Sequence, residues 1–258
     1  MPDRAAREIL RDGASRNVAL EWVEEVPFAL EFNGLAYAVM MASPIDLEDF
    51  VRGFALTEGL AGVVDDITAI TIAKTDKGII ARAQLTGLGV EQLSQRVRMR
   101  VAESSCGLCG IENLEALSKP LPKVPAHAPI NEASIFAATA ALRDHQALNA
   151  RTGSAHGAAF ADEHGNVLIV REDVGRHNAM DKLVGALALS SHDVAQGMMI
   201  STARCSYEIV EKAVKAGAHR LVTVSLPTSM AVDRAREAGL SLYCLARDDS
   251  VLEVCTAP

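Results

Sequence analysis

The chain has 258 residues, 49% hydrophobic and 22% charged, which is enough for one large or two modest folded units with a real core and does not suggest disorder. A formal charge of -8 argues against non-specific nucleic-acid binding, which needs a basic surface, and no run approaches the ~20 apolar residues of a membrane span. Met1 to Gly13 lack the apolar core of a signal peptide, and five cysteines, an odd number, point to free thiols in a reducing cytosol. The expectation is a cytoplasmic protein with neither a nucleic acid nor a membrane as partner.

Val18 to Ser43 alternates apolar and polar residues around Asn33-Gly34, a dipeptide suited to the positive φ angles of a tight turn, and this predicts a β-hairpin. Asp46 to Leu56 has helical spacing and an acidic first turn, closed by Gly59 and Gly62. Thr68 to Lys74 and Ile79 to Leu85 read as strands around Asp76-Lys77-Gly78, and a third strand is expected over Arg96 to Val101. In that strand Arg96, Arg98 and Arg100 would share one face, either as a solvated edge or as a basic approach for an anionic cofactor or an acidic partner protein.

The third strand leads into Ser104-Ser105-Cys106-Gly107-Leu108-Cys109-Gly110, where two thiols sit on a backbone that bends easily. Backbone N–H groups turned toward a sulfur lower its pKa from a free value of about 8.5 and favour the reactive thiolate. Such a thiolate can take the outer sulfur of a persulfide donor, and the neighbouring thiol can then attack that persulfide, push the outer sulfur onward and close a disulfide. Competing uses are half of a zinc site, a thioredoxin-like dithiol, or a loop with no chemical role. Zinc would need a second close pair, whereas Cys205, Cys244 and Cys255 are widely spaced, so no structural metal is expected. Gly110 follows the second cysteine where a thioredoxin-like motif would continue a helix, and exposed paired thiols without a role are an oxidation liability.

Ile111 to Leu117 predicts a short helix, and Lys119 to Pro129 then carries four of the nine prolines, Pro120, Pro122, Pro125 and Pro129. This proline run divides the chain into an α+β unit over 1–118, a semi-rigid connector over 119–130 and an α/β unit over 131–258. In the last unit a helix is expected over Asn131 to Ala150, with Asn131 as its cap, followed by strands at His156 to Ala161 and Val167 to Glu172 joined by a turn at His164-Gly165-Asn166. Helices at Arg176 to Leu189, Tyr207 to Lys215 and Ser229 to Ala238 then alternate with strands at Met198 to Ser201, Arg220 to Ser225 and Leu242 to Ala246, which predicts a layered α/β sandwich with a largely parallel sheet.

In open α/β sheets ligands bind beyond the carboxyl ends of the strands, where helices present their N-terminal N–H groups. The junctions here are Asp173-Val174-Gly175-Arg176-His177-Asn178, Ser201-Thr202-Ala203-Arg204-Cys205-Ser206 and Ser225-Leu226-Pro227-Thr228-Ser229, and they suit a phosphate- or nucleotide-bearing ligand. Each also has a plainer explanation: Ser225, Thr228 and Ser229 as helix caps, Arg176 and Arg204 as surface ion-pair residues, His156 and His177 as ordinary hydrogen-bonded histidines.

Four runs, Ser104 to Gly110, Thr152-Gly153-Ser154-Ala155-His156-Gly157-Ala158-Ala159, Glu172 to Lys182 and Arg204-Cys205-Ser206-Tyr207-Glu208, resemble the formate dehydrogenase accessory sulfurtransferases, the FdhD family. Asp46 to Leu60 and Val224 to Ala231 are also similar, so the resemblance covers the chain from about residue 20 onward. It implies a carrier that takes sulfur from a cysteine desulfurase, holds it as a persulfide on Cys106 with Cys109 alongside, and passes it to the molybdenum bis(molybdopterin guanine dinucleotide) cofactor destined for formate dehydrogenase. It further implies a cytidine-deaminase-like three-layer C-terminal sandwich, cytoplasmic location, a homodimer, and GDP as a surrogate ligand.

The family's cofactor-binding run matches Leu245-Ala246-Arg247-Asp248-Asp249-Ser250, which keeps the arginine but loses a glycine and a final basic residue. Asp248 and Asp249 would repel phosphate and are expected to compete for Arg247 as ion-pair partners. The cofactor-binding set that follows is Leu245 to Ser250 with His156, Gly175, Arg176, His177, Arg204, Ser225 and Thr228. A deaminase-like hydrolase would require an H-x-E and a P-C-x-x-C, but Gly157-Ala158 follows His156 and Ser105 precedes Cys106. A thiol-disulfide oxidoreductase using Cys106 and Cys109 is the alternative function.

Overall fold

The computed structural model describes residues 5–89, 91–96 and 119–256. The cysteine loop, Arg98, Arg100 and the helix expected over Ile111 to Leu117 lie outside the described residues. The first strands, β1 (Ala5–Ile9) and β2 (Ser15–Ala19), pair into an antiparallel hairpin of their own, which the sequence pattern does not announce. The expected hairpin follows as β3 (Val26–Phe32) and β4 (Leu35–Ala42), with Asn33 and Gly34 at φ 50° and 78°. Asn33 does more than turn the chain. Its Oδ1 accepts from Leu85 N at 2.7 Å, tying the turn to a strand 52 residues away.

Helix α1 (Leu47–Thr57) packs on the sheet completed by β5 (Ile67–Thr75) and β6 (Gly78–Leu85), in the order β4-β3-β6-β5 with β3 and β6 parallel. Phe50 and Phe54, one turn apart, share a helix face and meet Phe28, Phe32 and Tyr37; the Phe28 and Phe50 rings stack with centroids 5.1 Å apart. Residues 91–96 are helical, so Arg96 does not begin a strand. Burial of Leu93 in the core favours the helical turn, and Arg96 Nη1 donates to the carbonyls of Glu58 and Gly59 at 3.2 and 3.0 Å, satisfying the end of α1.

The second unit comprises α2 (Glu132–Leu142), α3 (Ala147–Thr152), β7 (His156–Ala161), β8 (Val167–Asp173), α4 (Arg176–Ala188), β9 (Met198–Ser201), α5 (Tyr207–Lys215), β10 (Arg220–Thr223), α6 (Ser229–Ala238), β11 (Ser241–Cys244) and β12 (Leu252–Cys255). Asn131 caps α2 by accepting from Ala133 N at 3.0 Å, but the single helix expected to Ala150 is broken after Leu142. The break buries Gln146 and turns α3 so that Leu148 N and Asn149 N reach the Glu172 carboxylate at 2.7 and 2.8 Å. A contact 23 residues away thus overrides local helical preference.

The six strands run in the order β12-β11-β10-β9-β7-β8, and only β9, β10 and β11 are mutually parallel. The sheet is therefore mixed rather than largely parallel. Asp162 causes this at one end: its Oδ1 accepts from His164 N and Asn166 N, both at 2.9 Å, closing a turn so tight that β8 must return antiparallel to β7. Both faces are covered. Phe160, Met199, Leu221 and Leu242 pack with α4, α5 and α6, while Ala159, Ile200, Val222 and Tyr243 pack with α2. The proline-rich 119–130 run lies along this unit, with Leu121 buried in its core and Val124 N donating to Ala238 O at 2.8 Å.

The two sheets meet where α1 crosses α4. A Cβ on Gly53 would lie 1.7 Å from Asp181 O, and one on Gly185 would lie 1.9 Å from Asp49 O, so the crossing requires two glycines. Polar groups complete the junction. Asp181 Oδ1 accepts from Lys212 Nζ and Thr57 Oγ1, both at 2.7 Å, and fully buried Lys182 sits 2.6 Å from fully buried Asp173. No helix among the described residues is long and apolar enough to cross a membrane.

Candidate functional site

Strand direction brings the carboxyl ends of β8, β9, β10 and β11, together with the start of β7, to one edge of the six-stranded sheet. Helices α4 and α5 begin at this edge, and neither N-terminus is capped by a side chain. For α4 the cap residue is Gly175, which has nothing to offer. For α5 it is Ser206, a residue type that ordinarily caps, yet its hydroxyl makes no cap bond. By contrast Thr228 caps α6 in the usual way, accepting from Ala231 N at 3.2 Å.

Among the described residues, four buried side-chain nitrogen or oxygen atoms lack a hydrogen-bond partner, and three of them, Arg176 Nε, His177 Nε2 and Ser206 Oγ, lie at these two helix starts. A buried polar atom left unmatched costs about 1–3 kcal/mol, so their concentration marks a place where a polar ligand would be stabilised. Of the three, His177 Nε2 has an ion-pair partner, Glu208 Oε2 at 2.8 Å, which leaves Arg176 Nε and Ser206 Oγ as the unmatched groups. The imidazole holds the Glu208 carboxyl below its ordinary range, against the opposing effect of burial. His156, at the start of β7, is held below the ordinary histidine range first by burial and then by the Arg176 charge, so it is neutral at pH 7.

The residues singled out from sequence divide into three groups. Arg176 with its Nε unmatched, His177 facing Glu208 at 2.8 Å, and the half-buried His156 stand at the edge. Gly175 and Thr228 have local structural duties. A Cβ on Gly175 would lie 2.8 Å from Asn178 Nδ2 in the turn that Asp173 organises, and Thr228 is occupied as a cap. Arg204 is exposed beside them, and Ser225 contributes its carbonyl to Thr223 Oγ1 at 2.9 Å.

The run from Leu245 to Ser250 follows β11 along the same edge. Leu245 adopts φ 52°, a left-handed conformation that is costly for a large side chain, while Ala246 is buried and Asp248, Asp249 and Ser250 are exposed. The aspartates do not take Arg247. Its Nη1 donates to the carbonyls of Val224 and Ala246 at 2.5 and 3.2 Å, and Asp249 instead accepts from Ser250 Oγ at 3.1 Å. The expected competition fails because backbone carbonyls just after β10 and β11 lie nearer the guanidinium than either carboxylate. Cys106 and Cys109 are outside the described residues. Sequence reasoning missed Ser206 and Glu208 as site residues; the only signal was their place in the Arg204 to Glu208 run.

Much of the Glu172 to Lys182 run serves as scaffold. Asp173 accepts from Ser43 N, Gly175 N and Asn178 Nδ2 at 3.0, 2.7 and 2.9 Å, and Lys182 Nζ donates to Ser43 O at 3.0 Å. These bonds fasten the end of the β3–β4 hairpin to the turn that aims Arg176 and His177. Gly157 exchanges bonds with Thr202 at 2.9 and 3.0 Å, holding His156 beside the β9–α5 junction. Among the described residues, no group of three or more His, Cys, Asp or Glu side chains is placed to hold a metal ion.

Fold and edge together define a mixed α/β protein whose six-stranded sheet presents two uncapped helix N-termini and unmatched polar groups to one side. The sequence matches the FdhD/NarQ family over residues 23–258, and the chain belongs to that family. It is 41% identical to the sulfur carrier protein FdhD of Bordetella petrii, over 87% of this chain and 81% of the relative. It is 39% identical to the sulfur carrier protein FdhD of Agrobacterium fabrum, over 95% of this chain and 91% of the relative. The fold is shared with the crystal structure of a protein assigned as a formate dehydrogenase accessory protein from Desulfotalea psychrophila, with a TM-score of 0.74 at 21% identity and coverage of 97% and 95% of the two chains.

Proposed function

We propose that the protein is a sulfur carrier that takes persulfide sulfur from a cysteine desulfurase onto Cys106 and delivers it to the molybdenum bis(molybdopterin guanine dinucleotide) cofactor for formate dehydrogenase. Family membership and the names of the relatives support the sulfur-carrying part. The observation that supports the cofactor end is the pair of unmatched buried groups, Arg176 Nε and Ser206 Oγ, at two uncapped helix starts. Helix N-termini and a guanidinium favour phosphate, which every guanine dinucleotide carries.

In the first step the Cys106 thiolate attacks the outer sulfur of the donor persulfide; a new S–S bond forms and the donor leaves as thiolate, with no net oxidation. When Cys109 attacks the inner sulfur of that persulfide, the outer sulfur leaves as hydrosulfide and the two cysteines close to a disulfide. The cofactor is cargo here, and the chain's part is to bind its phosphates at the sheet edge. A division at the 119–130 run, a cytidine-deaminase-like second unit with helices on both sheet faces, a homodimer and a cytoplasmic location belong to the same proposal.

The test is intact mass after incubation with a cysteine desulfurase and cysteine. The wild-type chain should gain one sulfur, Cys109→Ala should still gain it, and Cys106→Ala should not. Gain by Cys106→Ala but not by Cys109→Ala would reverse the assignment. No gain by the wild-type chain, together with a dithiol that cycles to a disulfide, would favour the thiol-disulfide oxidoreductase.

A further inference from the structure

The end of the six-stranded sheet opposite the candidate edge, where β9, β10 and β11 begin and the β7–β8 turn closes, holds a cleft of about 520 Å³. Its wall comes from four separate parts of the chain: the 126–130 run, the start of α2, the turn at Glu163 and His164, and the approaches to β9 and β10. Arg220, the first residue of β10, lines it and is only 7% exposed. Among the described residues the hydrogen-bond partners of this guanidinium are all carbonyls, and no carboxylate makes an ion pair with it. Nη1 donates to Ala195 O, Gln196 O and Gly197 O at 3.0, 3.4 and 3.3 Å, Nη2 donates to Ala128 O at 2.6 Å, and the buried Nε has no partner. Carbonyls accept protons without cancelling a charge, and a buried arginine is ordinarily paired with an anion. The Nε–H and one Nη2–H are left over, and a guanidinium fork suits two oxygens of a carboxylate or a phosphate.

The surroundings favour the same charge. His219, half-buried beside Arg220 in the chain, is held below the ordinary histidine range by burial, then by His127 and Arg220, against Asp193. A field that resists a further proton is one that attracts an anion. His127 Nδ1 donates to Pro125 O at 2.9 Å and its Nε2 meets Ser241 Oγ at 2.9 Å, which fixes its ring against that of His219 with centroids 4.8 Å apart. Asn131 and Ser134 bring the N-terminal end of α2 to the wall, adding partial positive charge. The opposing carboxylates stay outside: Glu132 is exposed, and the Glu163 side chain, 63% exposed, faces His164 at 3.8 Å rather than Arg220.

We propose that this cleft is a second binding site, at the far end of the sheet from the candidate edge, for a small oxyanion, a phosphate or a carboxylate. Two oxygens of the anion accept from Arg220, which supplies the buried charge, and His219 donates from the wall. The site also bears on the proline-rich run, because Arg220 Nη2 and the His127 ring both fasten that run to the sheet. A bound anion would therefore tighten the 126–130 run onto the second unit.

The experiment follows the histidine side-chain resonances of the full chain by NMR, with His127 and His219 assigned from His127→Gln and His219→Gln. Inorganic phosphate and sodium acetate are titrated separately, at an ionic strength held constant with sodium chloride. Saturable shifts of the His127 and His219 signals are expected, and the titrant that produces them at the lower concentration identifies the anion as phosphate or carboxylate. Gln196→Glu adds a carboxylate at an exposed position of the lining and should weaken the binding about tenfold. Arg220→Lys keeps the charge but removes the fork and should weaken it about as much. Gln196 makes no side-chain hydrogen bond among the described residues, so its variant keeps the test decisive where Arg220→Lys does not fold. Arg176→Ala, at the opposite edge, should leave the shifts unchanged. Three outcomes would each overturn the proposal: no saturable shift with either anion, an affinity unaltered by Gln196→Glu or by a folded Arg220→Lys, or loss of the shifts in Arg176→Ala.

Discussion

Lys182→Met removes one charge from the fully buried junction between the two sheets while keeping most of the side-chain volume. In the wild-type chain Lys182 Nζ sits 2.6 Å from Asp173 Oδ2, with Ser43 O and Glu172 O as further acceptors at 3.0 and 3.3 Å. Removing one member of a buried ion pair costs about 3–5 kcal/mol, because the other charge remains without compensation. Asp173 would still receive Ser43 N, Gly175 N and Asn178 Nδ2, so the lower end, ~3 kcal/mol, is expected. At about 2–4 °C per kcal/mol for a chain of this size, the thermal midpoint should fall by about 6–12 °C. The Lys182→Met/Asp173→Asn double variant loses both charges together and should recover ~1–2 kcal/mol relative to Lys182→Met alone. Urea unfolding followed by far-ultraviolet circular dichroism measures both differences. A single variant within ~1 kcal/mol of wild type, or a double variant less stable than the two singles summed, would refute the assignment of this pair as a compensated buried charge.

Gly53→Ala places a methyl group 1.7 Å from Asp181 O, a backbone atom that cannot swing aside, and should cost ~3 kcal/mol or more; an unchanged melting midpoint would contradict the close helix crossing. The Glu208 carboxyl is depressed below its ordinary value of 4.5, chiefly by His177, so its stabilisation is present above that value and lost as pH falls through the lower folded-state value. Melts from pH 6 down to 3 should therefore show the wild-type advantage over Glu208→Gln shrinking with acid, and a constant difference would disprove the coupling. Arg247 has one nitrogen on carbonyls and the rest of its guanidinium exposed, so Arg247→Ala should weaken GDP binding about tenfold by calorimetry. Equal affinity would remove the 245–250 run from the binding surface.

The sequence alone determined the elements whose causes lie within a few residues. Asn33-Gly34 supplies two positive φ angles for a hairpin, Asn131 and Thr228 supply caps, and the boundaries of β7, β9, α5 and α6 follow from turn residues beside short apolar runs. The chemical types of the edge residues were legible for the same reason, since glycine, hydroxyls and arginine at strand-to-helix junctions are visible in one dimension. Tertiary structure decided everything that depends on distant partners. Glu172 breaks the 131–150 helix by drawing in Leu148 N and Asn149 N. Asp173 and Lys182 form a buried clasp on Ser43, a role set by a residue 130 positions earlier than Asp173. Arg247 takes the carbonyl of Val224, 23 residues back, in preference to its neighbouring aspartates. Ser206 looks like an ordinary cap until the fold buries its hydroxyl unmatched, and Cys205 meets Pro227 in a bridge only because the chain crosses the end of β10. Pattern and propensity act over one or two turns of chain, whereas burial, which sets the cost of a charge or an unmatched hydroxyl, is a property of the packed whole.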